Sequence, residues 1–155
     1  MPSNDAGQPA LSEGLVRRVP AVAQQLAGIR VAVIAFAETH GAPQGIQQDI
    51  ALAVSGACAN AVLHAYAGAP EPGPLMVEAY RSNGELVVVV GDEGRGMMPR
   101  FDSPGLGLGL AVIRRLTRSL DIREPDSTPG TRVQMSFPLI EGADDAAFRH
   151  GHPLL

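Results

Sequence analysis

The chain of 155 residues contains no lysine: all twelve of its Lys+Arg positions are arginine. That absence excludes chemistry built on a lysine amine, including a Walker-A phosphate loop, the strand lysine of eukaryotic-type protein kinases and a Schiff base to a carbonyl cofactor. Any grip on phosphate must come from backbone amides, arginine or a metal ion. Tryptophan is also absent and aromatics make up only 4% of the chain, so stacking platforms for single-stranded nucleic acid are hard to build. A net charge of −4 argues in the same direction, against a nucleic-acid partner. Cys58 is the one cysteine, which rules out an intrachain disulfide, and its apolar neighbours suggest a small buried hydrophobe. No run approaches the roughly 18 apolar residues that span a bilayer, and the N-terminus lacks a secretory signal pattern. Both facts fit a reduced cytoplasmic setting without a membrane partner.

What is there is a 45% hydrophobic fraction, ample for one domain with a core of small aliphatics. Residues 1–13 and 141–155 lack periodicity and read as flexible tails, leaving 14–140 as the domain. Leu15 to Val19 suggests a short strand stopped by Pro20. Val22, Leu26, Ile29, Val33 and Phe36 then recur at helical steps, which predicts an amphipathic helix ending near Gly41. A second helix is expected from Pro43 to about Tyr66, with Ile46, Ile50, Ala53, Ala57 and Ala61 on one stripe. Two β-rich runs, Leu75 to Tyr80 and Leu86 to Val90, flank Asn83-Gly84, the strongest short hairpin signal. A third helix is expected over Leu108 to Leu120, on the spacing of Leu108, Val112, Leu116 and Leu120. Shorter runs around Ile122 and from Arg132 to Phe137 follow. The order β-α-α-β-β-α-β-β predicts an α+β two-layer sandwich: a mostly antiparallel sheet of about five strands with three helices on one face.

Three features at the ends of these elements carry candidate chemistry. Asp92-Glu93-Gly94-Arg95-Gly96 follows the valine-rich strand, placing a hydrogen-bond acceptor beside backbone that a ligand can approach closely. An acceptor aimed at an exocyclic amine would select adenine over guanine. Gly105-Leu106-Gly107-Leu108-Gly109 opens the third helix, where free N–H groups and the positive dipole end can hold an anion without lysine. Asn60 sits mid-helix on an alanine-rich stripe at a cost in propensity; it reads either as an oxygen ligand for Mg2+ or as an amide bonded locally.

In this order the motifs resemble those of the GHKL (Bergerat-fold) ATP-binding superfamily, with Asn60 as the N-box, Asp92-x-Gly94-x-Gly96 as the G1 box, Gly105 to Gly109 as the G2 box and Gly130-Thr131 closing the set. Within it, the size and the string Asn60-Ala-Val-Leu-His-Ala-Tyr66 resemble bacterial anti-sigma-factor serine/threonine kinases over about residues 14 to 139. The resemblance implies that Asn60 coordinates Mg2+ and that Asp92 bonds the adenine amine. It implies further that Gly94 and Gly96 shape the adenine pocket, that Gly105, Gly107 and Gly109 contact the phosphates with Leu106 and Leu108 between them, and that Thr131 supports the adenine side. Its implied partners are ATP or ADP and a sigma factor or an anti-sigma-factor antagonist, and it admits a homodimer.

One position departs from the pattern. Relatives carry a glutamate, the general base, four residues before the N-box asparagine; here that residue is Gly56. General-base catalysis contributes about 10^2 to 10^4 in rate, so the expectation is nucleotide binding with weakened phosphoryl transfer. Asp49 and His64 lie roughly 10 to 12 Å away along the helix and cannot substitute directly. The segment from Met97 to Pro104 reaches at most about 26 to 29 Å when extended. Within it Arg100, and beside it Arg95, are the candidate side-chain cations for phosphate. The alternative functions are an active serine/threonine kinase and a degenerate interaction module that binds no nucleotide.

Overall fold

The structure, a computed structural model, describes residues 14–95, 106–126 and 128–139. In chain order these residues form β1 (Leu15–Pro20), a short 3-10 turn (Ala23–Gln25), α1 (Leu26–Thr39), α2 (Gln44–Asn60), a π-helical turn (Ala61–Ala65), β2 (Pro74–Ser82), β3 (Glu85–Asp92), α3 (Leu106–Leu116), β4 (Ser119–Arg123) and β5 (Thr131–Pro138). The strands make one five-stranded sheet in the order β1-β2-β3-β5-β4. Every neighbouring pair is antiparallel. Among the described residues no helix is long and apolar enough to cross a membrane.

Strand alternation decides which sheet face is covered. Leu75, Val77 and Ala79 of β2 lie opposite Asp92, Val90 and Val88 of β3, and Val88 and Leu86 lie opposite Met135 and Phe137 of β5. These apolar residues join Val33 of α1, Ile46 and Ile50 of α2 and Ile113 of α3 in one buried cluster. The helices lie on that face: α1 against β1 and β2, α2 against β3 and β5, α3 against β4, with α2 packed between its two neighbours. The other face carries Glu78, Gln134 and Arg132 at intervening positions, as expected of an antiparallel sheet covered on one side. Leu75, Leu86, Val88, Met135 and Phe137 are 0% exposed. Removing such a side chain to alanine costs about 2 to 5 kcal/mol.

The turns follow local chemistry. Gly41, at φ +83°, ends α1: its N–H donates to the Glu38 carbonyl while the Ala42 N–H reaches back to that of Ala37. Asn83 and Gly84 both have positive φ, 52° and 76°, the conformation a two-residue hairpin between right-twisted strands requires.

Two expectations about the helices need correction. The third helix stops at Leu116 and does not reach Leu120, which belongs to β4 and lies opposite Met135. The stop is made by tertiary pairing: the Arg118 N–H donates to the Ser136 carbonyl, and the Thr117 hydroxyl turns back onto the Arg114 carbonyl. The second helix is α-helical only to Asn60, after which Ala61–Ala65 widen into a π turn. That change in pitch alters the angular position of His64 relative to Gly56, and the Ala65 carbonyl at its end accepts the Arg95 N–H.

Candidate functional site

Asp92 is the last residue of β3 and is paired with Thr131, the first residue of β5. One carboxylate oxygen accepts the Gly94 N–H at 3.0 Å, and the Thr131 backbone N–H also bonds the carboxylate. Burial raises the Asp92 pKa above its ordinary value, while those two N–H groups partly offset the effect. The result is a half-buried carboxylate held in place by backbone, a form suited to accepting a hydrogen bond from a ligand.

The backbone around Asp92 leaves no room for larger residues. Gly130 has φ +135°, and a Cβ there would lie 2.0 Å from the Asp92 carbonyl oxygen. At Gly94 a Cβ would lie 2.1 Å from the carbonyl oxygen of Ala65, at the end of the π turn. The two glycines therefore allow the residues around Asp92 to lie against β5 on one side and the helix end on the other.

Three successive amides beyond Asp92 each have a fixed partner. The Glu93 N–H donates to the Tyr66 hydroxyl at 2.8 Å, the Gly94 N–H to Asp92 and the Arg95 N–H to the Ala65 carbonyl at 3.0 Å. Tyr66 in turn donates its hydroxyl proton to the Pro74 carbonyl at 2.5 Å. Burial, foremost, raises the Tyr66 pKa above its ordinary value, so the phenol keeps the proton it donates. The exposed Glu93 carboxylate meets Arg18 at 3.4 Å, a surface pair worth little in stability.

At the other end of the site, Asn60 closes the α-helical part of α2, and Gly107 and Gly109 lie in the first turns of α3. A Cβ built at Gly109 would stand 3.7 Å from both Nδ2 and Oδ1 of Asn60. The asparagine amide is thus directly across from the backbone of the glycine-rich helix start, where free N–H groups and the helix dipole favour an anion. One turn earlier, a Cβ at Gly56 would meet, among the described residues, Cδ1 and Cγ1 of Ile113, at 3.4 and 3.5 Å. The position from which a general base would act faces hydrocarbon. Cys58, on the core side of α2, is buried, and desolvation pushes its pKa up to about 12, so it remains an inert thiol.

The structure brings Asn60 and Gly109 together at one end of the site, and Asp92, Gly94 and Thr131 at the other. The backbone of Leu106, Gly107 and Leu108 forms the opening turn of α3. Gly96, Arg100 and Gly105 lie outside the described residues, as do the Met97 to Pro104 segment and the two tails. Arg95 is exposed. Among the described residues no group of three or more His, Cys, Asp or Glu gathers to hold a metal ion. The Asn60 side-chain oxygen, across from the start of α3, is of the ligand type that Mg2+ takes. Sequence reasoning gave Tyr66 no role of its own, although it is one of only two tyrosines in the chain. Its rarity and its place just beyond the N-box helix were the available signals.

Comparison with known proteins shows the family and the fold. Residues 19–137 match the histidine kinase-like ATPase domain. An anti-sigma F factor of Clostridium botulinum (strain Eklund 17B) is 32% identical over 123 residues, covering 72% of this chain and 85% of that protein. An anti-sigma F factor of Clostridium kluyveri is 32% identical over 117 residues, covering 68% and 80%. Among solved structures, the RsbU and RsbW domains of a Mycobacterium tuberculosis protein share the fold, with a TM-score of 0.63 at 23% identity over 81% of this chain and 31% of that one. A blue-light activated histidine kinase of Erythrobacter litoralis gives a TM-score of 0.55 at 25% identity, covering 78% of this chain and 62% of the kinase chain.

Proposed function

Because this chain belongs to the histidine kinase-like ATPase domain family, we propose that it is an ATP-binding regulator that works by partner switching, with phosphoryl transfer weakened by the glycine at position 56. The observation that carries the proposal is the contrast along a single helix face. Asn60 faces the backbone of the glycine-rich helix start, whereas Gly56, one turn before it, faces Ile113 alone among the described residues. The means of holding a nucleotide are kept and the carboxylate base is missing.

In this reading Asp92 accepts a hydrogen bond from the exocyclic amine of adenine. Two backbone N–H groups hold its carboxylate in position. Gly94 and Gly96 would shape the adenine pocket, and Thr131 would support the adenine side from β5. The amides of Gly105, Gly107 and Gly109 would hold the phosphates, Arg100 would supply a cation for them, and Asn60 would hold Mg2+ through its side-chain oxygen. When bound, Mg2+ would neutralise phosphate charge and fix the phosphate geometry. The chain's own part is positioning: it orients the nucleotide but offers no carboxylate at position 56 to take the proton of an attacking hydroxyl. The anti-sigma F factor relatives support a sigma factor or an anti-sigma-factor antagonist as the protein partner, bound differently according to the nucleotide held.

Calorimetry with ATP and Mg2+ on the wild type and on Asp92→Ala tests the nucleotide site. The expected result is binding by the wild type and a loss of affinity of at least tenfold in the variant. A wild type that binds no ATP would mark the chain as a degenerate interaction module.

A further inference from the structure

We propose that Tyr66 is a positioning residue for adenine recognition, aligning Asp92 by fixing the backbone that follows it. The inference rests on the nucleotide-binding reading above and extends it to a residue to which that reading gives no role. Asp92 is oriented partly by the Gly94 N–H, and the place of Gly94 is determined by its neighbours on both sides. The Arg95 N–H is tied to the Ala65 carbonyl and the Glu93 N–H to the Tyr66 hydroxyl. Both anchors lie at the end of the helix that also presents Asn60.

Tyr66 is itself held from a third direction. Its hydroxyl donates to the carbonyl of Pro74, the first residue of β2, and its ring fills the space that a side chain at residue 73 would occupy. A Cβ at Gly73 would lie 2.4 Å from Cε1 and 2.6 Å from Cζ of the ring. One phenol therefore joins the end of the N-box helix, the start of β2 and the loop beyond β3. Phenylalanine would retain the ring and its packing but remove the acceptor for Glu93 and the donor for Pro74.

The test compares two ligands, ATP and purine riboside triphosphate, which lacks the exocyclic amine, each titrated with Mg2+ into wild type and Tyr66→Phe. The ratio of the two affinities isolates the hydrogen bond between Asp92 and the amine from everything else that binds the nucleotide. A single hydrogen bond is worth about 1 kcal/mol, or roughly fivefold in affinity. Tyr66→Phe is expected to weaken ATP about fivefold while changing the analogue less than twofold. A general loosening of the fold would weaken both ligands equally, and that outcome overturns the inference, as does an unchanged ratio. Gly73→Ala keeps the hydroxyl but displaces the ring; it is expected to lower the same ratio and serves if Tyr66→Phe does not fold. Wild type that binds neither ligand refutes the nucleotide reading and the inference with it. Wild type that prefers ATP, with the preference unaltered in both variants, refutes the inference alone.

Discussion

Replacing Gly56 with alanine separates the two consequences of that glycine, its effect on the helix and its lack of a carboxylate. Gly56 lies inside α2, where glycine destabilises by about 0.5 to 1 kcal/mol relative to alanine. The new methyl would rest on Ile113 at 3.4 to 3.5 Å, ordinary van der Waals contact that requires no shift of α3. Because the site is half-buried, it recovers about half of the ~0.8 kcal/mol of a fully buried CH2. Gly56→Ala should therefore stabilise the chain by about 1 to 1.5 kcal/mol, equivalent to roughly 2 to 6 °C in Tm for a chain of this size. Urea unfolding followed by circular dichroism would show the midpoint rising with the m-value unchanged. A lower midpoint would mean that α2 and α3 approach too closely for a methyl, and that Gly56 is required by packing. Gly56→Glu places its first carbon in the same space but brings a charge against isoleucine. It should be less stable than Gly56→Ala while gaining phosphoryl transfer by about 10^2 to 10^4.

Asp92 has a pKa raised by burial, so its ionised form costs folding stability. The cost is absent below the ordinary carboxylate value and sets in as the pH rises through the higher folded value. Asp92→Asn should consequently match or exceed the wild-type Tm at pH 7 while losing ATP affinity, and a marked fall in Tm would contradict the assigned cause. In the wild type, ATP affinity should fall as the pH drops through a value above the ordinary carboxylate one, because a protonated carboxyl no longer accepts from the amine; a flat profile for ATP would argue against Asp92. Gly130→Ala brings a methyl within 2.0 Å of the Asp92 carbonyl oxygen at φ +135°. It should destabilise by more than about 1 kcal/mol, beyond the usual gain from Gly→Ala. Cys58, with its pKa near 12, should resist alkylation in native protein at pH 8 and react on unfolding, and rapid native labelling would show the site to be open.

Much of the architecture was legible because local and tertiary preferences agree. Asn83-Gly84 demands a tight hairpin and forms one, and the apolar spacing of Ile46 and Ile50 faces the core it suggests. Leu120 was misread because a four-residue leucine spacing continues past the end of the helix. The deciding hydrogen bond, Arg118 to Ser136, joins residues far apart in sequence. The π turn has no local mark, since Ala61 to Ala65 would serve equally in an α-helix. Its carbonyl end is engaged by Arg95, a contact that only the folded chain creates. The same holds for Tyr66, whose partners Glu93 and Pro74 are brought to it by the sheet. Gly94 and Gly130 were legible because a position where a Cβ would meet backbone restricts residue type by itself. The contacts that orient Asp92 were not, because they depend on three elements meeting.

The central claim is that this chain holds ATP but transfers its γ-phosphoryl group poorly for want of a base at position 56. A single-turnover assay with γ-labelled ATP, Mg2+ and the cognate antagonist protein addresses it directly when wild type and Gly56→Glu are compared at saturating nucleotide. The account predicts that wild type retains the label as ATP while the variant passes it to the antagonist at least a hundredfold faster. Wild-type transfer as fast as that of the variant would contradict it.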